Sequence, residues 1–402
     1  MKKKKIIITI IILVSIIVLS IGIIIGYNYY RVANAKIIVM VKPNYKIEVF
    51  DKVHVKDLIV SINGKLVKNE LVDTSEVGTH EKEFEFVNDD NIKVKYSLEY
   101  NVNDTTPPII GVPSSTTVTV GYNNNLANKF FCGDNYDDEP KCIVEGDYDY
   151  NTPGTYLLNY KAIDSSKNET NQKFTLYVKE KSNSSSKTTT EPYMQDVRGI
   201  IEKHKNKNTK IGIDISRHNG KIDFQQVKDS GIEFVMIRVG SENAEHKFFV
   251  DPMFEEYIEG FNEVEIPVGV YYYSYADTID YAKREAKWVI KQIKKYKIDL
   301  PVVYDWENWN NYYEFKVSFH HLSEIANTFL STVEDAGYEG MLYSSKYYLE
   351  NIWEKPKYKV WLAHYTTQTT YQGDYYIWQL CDNGYVPGVN ESAVDLDIMY
   401  VK

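Results

Sequence analysis

The sequence predicts a multidomain chain: an N-terminal transmembrane helix, two all-β modules in tandem, and a C-terminal incomplete (β/α) barrel. Three observations carry this reading. A lysine cluster precedes a long uncharged apolar run. Two stretches of short alternating strands follow. After about residue 209, strands begin to alternate with helices. The chain has 402 residues. At roughly 100–200 residues per domain, that leaves room for two to four domains.

Composition narrows the class. Charged residues make up 25% and hydrophobic residues 43% of the chain, which excludes a disordered or collagen-like protein. The formal net charge of −10 argues against nucleic acid as a partner, since phosphate binding wants a basic face. Tyrosine is abundant, with 35 Tyr against 15 Phe. Tyr-rich grooves suit carbohydrate, although a general bias toward Lys, Ile, Asn and Tyr is the more economical explanation.

The first segment, 1–30, sets the compartment. Lys2, Lys3, Lys4 and Lys5 precede an uncharged run, Ile6–Gly26, dominated by Ile, Leu and Val. A bilayer core needs about 20 apolar residues in a helix. Basic flanks stay inside, so a single-pass anchor through residues 6–26 places the C-terminus outside the cell membrane. The alternative is a secretion signal cleaved near Ala35, with Ala33-Asn34-Ala35 as the small-residue site.

Residues 36–103 and 104–179 each read as a run of short strands broken by turns such as Asn63-Gly64. The two segments align at a constant offset: Asp73, Gly78, Thr79 and Val102 match Asp149, Gly154, Thr155 and Val178. Cys132 and Cys142 are close in sequence in a segment expected outside the membrane, where a disulfide is reasonable; two reduced, buried cysteines are the alternative. Asp134, Asp137, Asp138 and Glu139 read as a solvated acidic loop in preference to a calcium site. The second module resembles bacterial Ig-like surface domains in Asp104-Thr-Thr-Pro-Pro-Ile109, Pro153-Gly-Thr-Tyr156 and Tyr160-Lys-Ala-Ile-Asp-Ser-Ser-Lys-Asn168, and the first module less closely. Residues 180–208, with Lys181–Thr190 free of apolar side chains, read as a Ser/Thr-rich linker that leaves the C-terminal part able to fold alone.

From 209 to 402 the pattern predicts eight strands, with helices accompanying only the first five. Pro301-Val-Val-Tyr-Asp-Trp-Glu307 carries the strongest chemical signal. Apolar residues lead into two acids at a strand's carboxyl end, where such barrels place their active sites. Residues i and i+2 of a strand share a face, about 7 Å apart. Asp305 and Glu307 therefore project into one cleft. Glycoside cleavage needs such a pair, one carboxyl protonated and one ionised. Asp214 sits in an apolar first strand and Asp395 in the last. Closure of a barrel makes those strands neighbours, so these two acids are expected to converge on each other. No Cys/His spacing suggests a zinc site, and no cofactor is implied.

Residues from about 210 to 402 resemble the lysozymes of glycoside hydrolase family 25. The motifs are Gly212-Ile-Asp-Ile-Ser216, Ile222–Gly231, Phe234-Val-Met-Ile-Arg238, Asp251-Pro-Met-Phe254, Pro267-Val-Gly-Val-Tyr271, Asp305-Trp-Glu307, Trp361-Leu-Ala-His-Tyr365, Trp378-Gln379 and Val394-Asp-Leu396. The resemblance implies an incomplete β/α barrel that cleaves peptidoglycan between N-acetylmuramic acid and N-acetylglucosamine. It implies Glu307 as general acid and Asp305 as a carboxylate assisting the substrate's own N-acetyl group. Asp214 and Asp395 complete an acidic floor. Tyr273, Tyr343 and Trp378 are expected to line the sugar groove, and Arg238 to bind substrate or pair with one of the acids. Phe224 and Tyr257 depart from the family pattern, which has Trp and Asn there.

Overall fold

The computed structural model describes residues 2–43, 45–181, 193–243, 245–389 and 393–401. The core of the expected linker, 182–192, lies outside the described residues, as do the side chains of Lys2, Lys3 and Lys5. The chain divides into two compact units, Met1–Thr105 and Thr106–Lys402.

In the first unit one helix spans Lys2–Ala33. Its stretch Ile8–Ala33 is long and apolar enough to cross a membrane, and none of its most apolar window is buried against protein. The rest of the unit is β-structure apart from the short helix Val55–Leu58. A four-stranded sheet runs in the order Ile47–Glu48, Lys93–Asn103, Gly78–Asn88, Gly64–Leu66, and Val39–Val41 pairs with Ile59–Ile62. The two long strands alternate buried and exposed residues, as a half-buried antiparallel pair should.

The second unit holds both the second β-module and the α/β segment. In the module, Lys141–Glu145, Gly154–Ile163, Glu169–Lys179 and Ser115–Thr119 form a four-stranded sheet in that order, and Ile109–Gly111 pairs with Phe131–Gly133. Cys132 and Cys142 are joined as a disulfide. The expected solvated acidic loop holds in part: Asp134 is buried, while Asp138 and Glu139 stay exposed yet contact the α/β segment, Asp138 Oδ1 accepting from Ser318 N (2.7 Å) and Glu139 pairing with Lys316 (2.7 Å). A free-standing C-terminal part was also expected, and here it shares a unit with the module.

The α/β segment closes eight strands into a ring. They are β1 (Thr209–Ile215), β2 (Phe234–Glu242), β3 (Val268–Tyr273), β4 (Val302–Asp305), β5 (Gly340–Ser345), β6 (Lys359–Ala363), β7 (Ile377–Tyr385) and β8 (Val394–Tyr400). Neighbours β1 to β7 pair in parallel, and β8 closes the ring antiparallel to both β7 and β1. Helices α1 (Phe224–Asp229), α2 (Phe254–Glu263), α3 (Ile279–Ile293), α4 (Phe319–Asp335) and α5 (Lys346–Asn351) follow the first five strands, and among the described residues none follows β6 or β7. The segment also starts earlier than residue 209. Gln195–Asp196 pairs alongside β7, and helix Val197–His204 buries Val197 and Ile200.

Strand parity separates two cores. Residues such as Val235, Ile237, Val302, Tyr304, Leu362 and Leu396 point outward into the layer under the helices. Phe234, Met236, Val303, Met341, Trp361, Ile377 and Met399 fill the ring itself. The helices supply matching apolar stripes. On α4, Leu322, Ile325, Ala326, Phe329, Leu330 and Val333 are all buried, at helical spacing. Ser318 caps that helix by accepting from His321 N (3.2 Å).

Gly212 shows how tightly the ring is filled. A Cβ there would lie 2.4 Å from the Phe234 ring. Overpacking of this kind costs about 1–3 kcal/mol. Gly212→Ala should therefore lower the thermal midpoint of the full chain, measured by circular dichroism, while Gly199→Ala, with open space around it in the helix Val197–His204, should not.

Candidate active site

A cleft opens at the carboxyl ends of the parallel strands. It is lined by Asp214, Arg238, Tyr271, Tyr273, Asp305, Glu307, Tyr343, Trp361, Gln379 and Asp395. Register puts them there. Tyr273 sits opposite Asp305, Asp305 opposite Tyr343, and Tyr343 opposite Trp361. Ring closure places Asp214 opposite Asp395.

The acids fall into two linked groups. Asp305 is buried at the end of β4, with its Oδ1 lacking a hydrogen-bond partner. Glu307, two residues on, reaches the solvent-exposed rim, yet the cleft walls crowd its carboxyl. Burial raises the pKa of both, and at Glu307 the hydrogen bond to Asp305 opposes part of that rise. For Asp305 the negative charge of Glu307 and the hydrogen bond between the two carboxyls push further the same way, and the positive charge of Arg238 opposes. The pair therefore retains a proton well above the ordinary carboxylate range, and belongs together as one titrating unit.

Asp214 and Asp395 form the second group. Burial, then the nearby charge of Asp397, drives Asp214 well above its usual value. Burial and the charge of Asp214 push Asp395 up to about 9. Gln379 bridges them, donating from Nε2 to Asp214 (2.8 Å) and to Asp395 (3.2 Å). Its Oε1 accepts from the hydroxyls of Tyr343 (2.9 Å) and Tyr365 (3.1 Å). Beneath them Asp397 is fully buried and accepts from Trp361 Nε1 (2.8 Å).

The structure thus brings Asp214, Asp305, Glu307, Asp395, Tyr273, Tyr343 and Arg238 into one cleft. Arg238 is held by Asp251, its Nε donating to Oδ2 (2.7 Å), so its partner is an acid outside the cleft lining. Trp378 is a correction. It lies in the outer core, donating from Nε1 to the His364 carbonyl (2.9 Å). Strand parity is the reason: Ile377 and Gln379 face the ring, so Trp378 faces away. Phe224 and Tyr257 also lie away from the cleft, Phe224 against Phe261 and the Tyr257 hydroxyl on the Gly220 carbonyl. Sequence reasoning missed Tyr271, Trp361, Gln379 and the buried Asp397. Alternation along β3, β6, β7 and β8 could have found each of them.

A buried carboxyl outside the cleft braces the pair. Ser274 N donates to the Asp305 carbonyl (2.7 Å), and the Ser274 carbonyl accepts from Asn308 Nδ2 (3.1 Å). Glu285 fixes Ser274 by accepting its hydroxyl (2.6 Å), and accepts Tyr275 N (3.2 Å). Burial pushes Glu285 up to about 8. The unfolded chain returns it to the ordinary range, so the folded state binds the extra proton. Its stabilising effect is complete below the unfolded value and is lost as pH rises through the folded one. Glu285→Gln should remove that slope. Its unfolding free energy relative to the unaltered chain, measured by denaturant titration, should climb between about pH 5 and pH 8, at up to roughly 1.4 kcal/mol per pH unit.

Residues 213–389 match the family described as glycosyl hydrolases family 25. An autolytic lysozyme of Clostridium acetobutylicum is 26% identical over 189 residues, 46% of this chain and 54% of the relative. The chain thus spans about half the length of that curated relative. Among solved structures, the modular autolysin LytC of Streptococcus pneumoniae, in complex with a synthetic peptidoglycan ligand, is 26% identical with a TM-score of 0.44, covering 60% of this chain and 56% of that one. A family 25 glycosyl hydrolase of Bacillus anthracis is 20% identical with a TM-score of 0.44, covering 53% of this chain and 95% of that one. Residues 213–389, which carry Asp214, Asp305 and Glu307, are thus a glycosyl hydrolases family 25 domain within a longer chain.

Proposed function

We propose that this chain is a membrane-anchored, extracytoplasmic lysozyme that hydrolyses the β-1,4 bond between N-acetylmuramic acid and N-acetylglucosamine in peptidoglycan. The family match to residues 213–389 and the autolytic lysozyme relative support a hydrolase of this class. The observation that carries the reading is the proton-holding Asp305–Glu307 pair at the mouth of an aromatic-lined cleft.

Glu307 sits at the rim, where a glycosidic oxygen can reach it, and acts as general acid. As it gives up its proton, the C–O bond to the leaving sugar breaks. Asp305 lies deeper. Once the shared proton rests on Glu307, Asp305 is the ionised partner, placed to orient and charge the substrate's N-acetyl group as it attacks the anomeric carbon. Water then attacks the same carbon and breaks the new bond, its proton passing to Glu307, so that the N-acetyl group is restored and the acid is reset. Asp214 and Asp395 keep the floor negative or proton-rich according to pH, and Gln379 fixes their spacing. Tyr273 and Tyr343 offer apolar faces and hydroxyls to the sugar. The two β-modules, Ig-like in sequence, lie between the anchor and the barrel along the chain.

Release of reducing sugar from purified cell wall tests the reading. Glu307→Gln keeps the shape and removes the acid. General acid catalysis contributes about 10²–10⁴-fold, so turnover should fall by that amount while wall binding persists. Asp305→Asn should be comparably damaging. Near-normal turnover by Glu307→Gln would contradict Glu307 as the acid, whereas no release by the unaltered chain would favour a wall-binding protein whose cleft holds glycan without cutting it.

Topology is tested separately. The helix Lys2–Ala33 offers an apolar span with a basic start. Protease added to intact protoplasts should remove the C-terminal domain while leaving the anchor in the membrane fraction. Recovery of the protein free of membrane, with Lys36 as its first residue, would show a cleaved signal.

A further inference from the structure

The loop closed by the Cys132–Cys142 disulfide touches the segment that leads from Glu307 into α4 at several points. Asp138 Oδ1 accepts from Ser318 N (2.7 Å) and meets His321 Nδ1 (2.7 Å). The carbonyls of Asp134 and Asn135 accept from Phe319 N (2.8 Å) and His320 N (3.3 Å). Glu139 pairs with Lys316 (2.7 Å). Phe131, next to the disulfide, inserts its ring among Tyr312 (5.1 Å), Phe319 (6.1 Å, stacked) and Trp309 (6.3 Å). Gly133 marks how close the surfaces come, since a Cβ there would lie 2.5 Å from Phe319 and 2.7 Å from Tyr312.

The receiving segment starts at the reacting acid. Glu307 directly precedes the short helical stretch Asn308–Glu314, with no side-chain cap to hold it. Trp309 packs edge-on against Trp306 (4.7 Å), the residue between the two acids, and stacks on Tyr348 (3.7 Å). A rigid path therefore runs from Phe131 through Trp309 to Trp306. On the barrel side Asn308 is tied to the Ser274 carbonyl, and the module supplies the opposing grip.

We propose that the disulfide-closed loop of the second β-module is a positioning element of the active site, clamping residues 308–321 so that Glu307 stays at the crowded rim of the cleft. The module is then part of the working enzyme and goes beyond a spacer. This rests on Glu307 being the general acid. Reduction of Cys132–Cys142 loosens the clamp: a dithiol reductant is oxidised, two thiols form, and the loop loses its closure.

The test uses the full chain on soluble peptidoglycan strands, with kcat, KM and the pH profile measured together. Asp138→Ala and Phe131→Ala should each lower kcat about tenfold, since misplacement by roughly 1 Å can cost ~10²-fold. KM should change less than about twofold. The alkaline limb of kcat should move to lower pH, because a freer Glu307 is better hydrated and loses its proton sooner. Asp138→Asn keeps the acceptor for Ser318 N and should restore most of kcat. Lys173→Ala, exposed on the module's strand Glu169–Lys179, should match the unaltered chain. Reduction should lower kcat, and should do nothing further to Cys132→Ser. If Phe131→Ala fails to fold, Asp138→Ala and reduction decide. Folded Asp138→Ala and reduced chains with unaltered kcat and an unmoved alkaline limb would overturn the clamp. An unaltered chain that releases no reducing sugar would defeat the glycosidase reading alone. The clamp would then be judged by ¹³C titration of Glu307, whose pKa should fall in Asp138→Ala if the clamp is real and stay put if it is not.

Discussion

Five carboxyl groups converge at one end of a dry ring of strands, and they cannot all be charged. Asp214, Asp305, Asp395 and Asp397 are buried or crowded by the barrel wall, with Glu307 at the rim. Two like charges about 4 Å apart repel by about 4 kcal/mol at an effective dielectric near 20. Burial adds its own penalty for each charge. Every one of the five is shifted toward its protonated form. Retention of protons near neutrality is thus forced by the architecture, and a retained proton on an accessible carboxyl is what a general acid requires.

The remaining structure can be understood as the means of crowding those groups without unfolding the ring. Period-two alternation sends one set of residues into the ring and the other under the helices. Closure through β8 puts Asp214 beside Asp395, a contact that an open sheet would not make. Gln379 gives both of them a donor, and Trp361 gives one to Asp397. Glu285, buried on α3, is a second proton-holding group, and through Ser274 it braces the backbone of Asp305. On the outer side of the catalytic segment, the disulfide-bounded loop meets the amino end of α4.

Much of this was legible in the sequence, because the signals were local. The apolar run Ile6–Gly26, the eight strand positions and the stripe on α4 each follow from periodicity. The acids Asp214, Asp305, Glu307 and Asp395 stand out because each breaks or ends an apolar strand. What was not legible depended on parity or on distance. Trp378 and Gln379 are adjacent, so naming the aromatic as groove-lining put the wrong neighbour inward. Asp397 shares a face with Asp395 but lies one layer deeper, where its Trp361 partner cannot be read from either strand alone. The acidic loop Asp134–Glu139 looked solvated because Ser318 and His321, which meet Asp138, lie far along the chain. For the same reason the barrel seemed separable from a module that packs against it.

The central claim is that the cleft holds protons that isolated carboxyls would have lost. The most direct measurement is a ¹³C NMR titration of the side-chain carboxyl carbons of the full chain, with Asp305, Glu307 and Asp395 assigned by substitution. The account predicts that the Asp305–Glu307 pair keeps one proton well above the ordinary carboxylate range and that Asp395 titrates near 9. Full ionisation of all three at about pH 4–5, the range of free carboxyls, would contradict it.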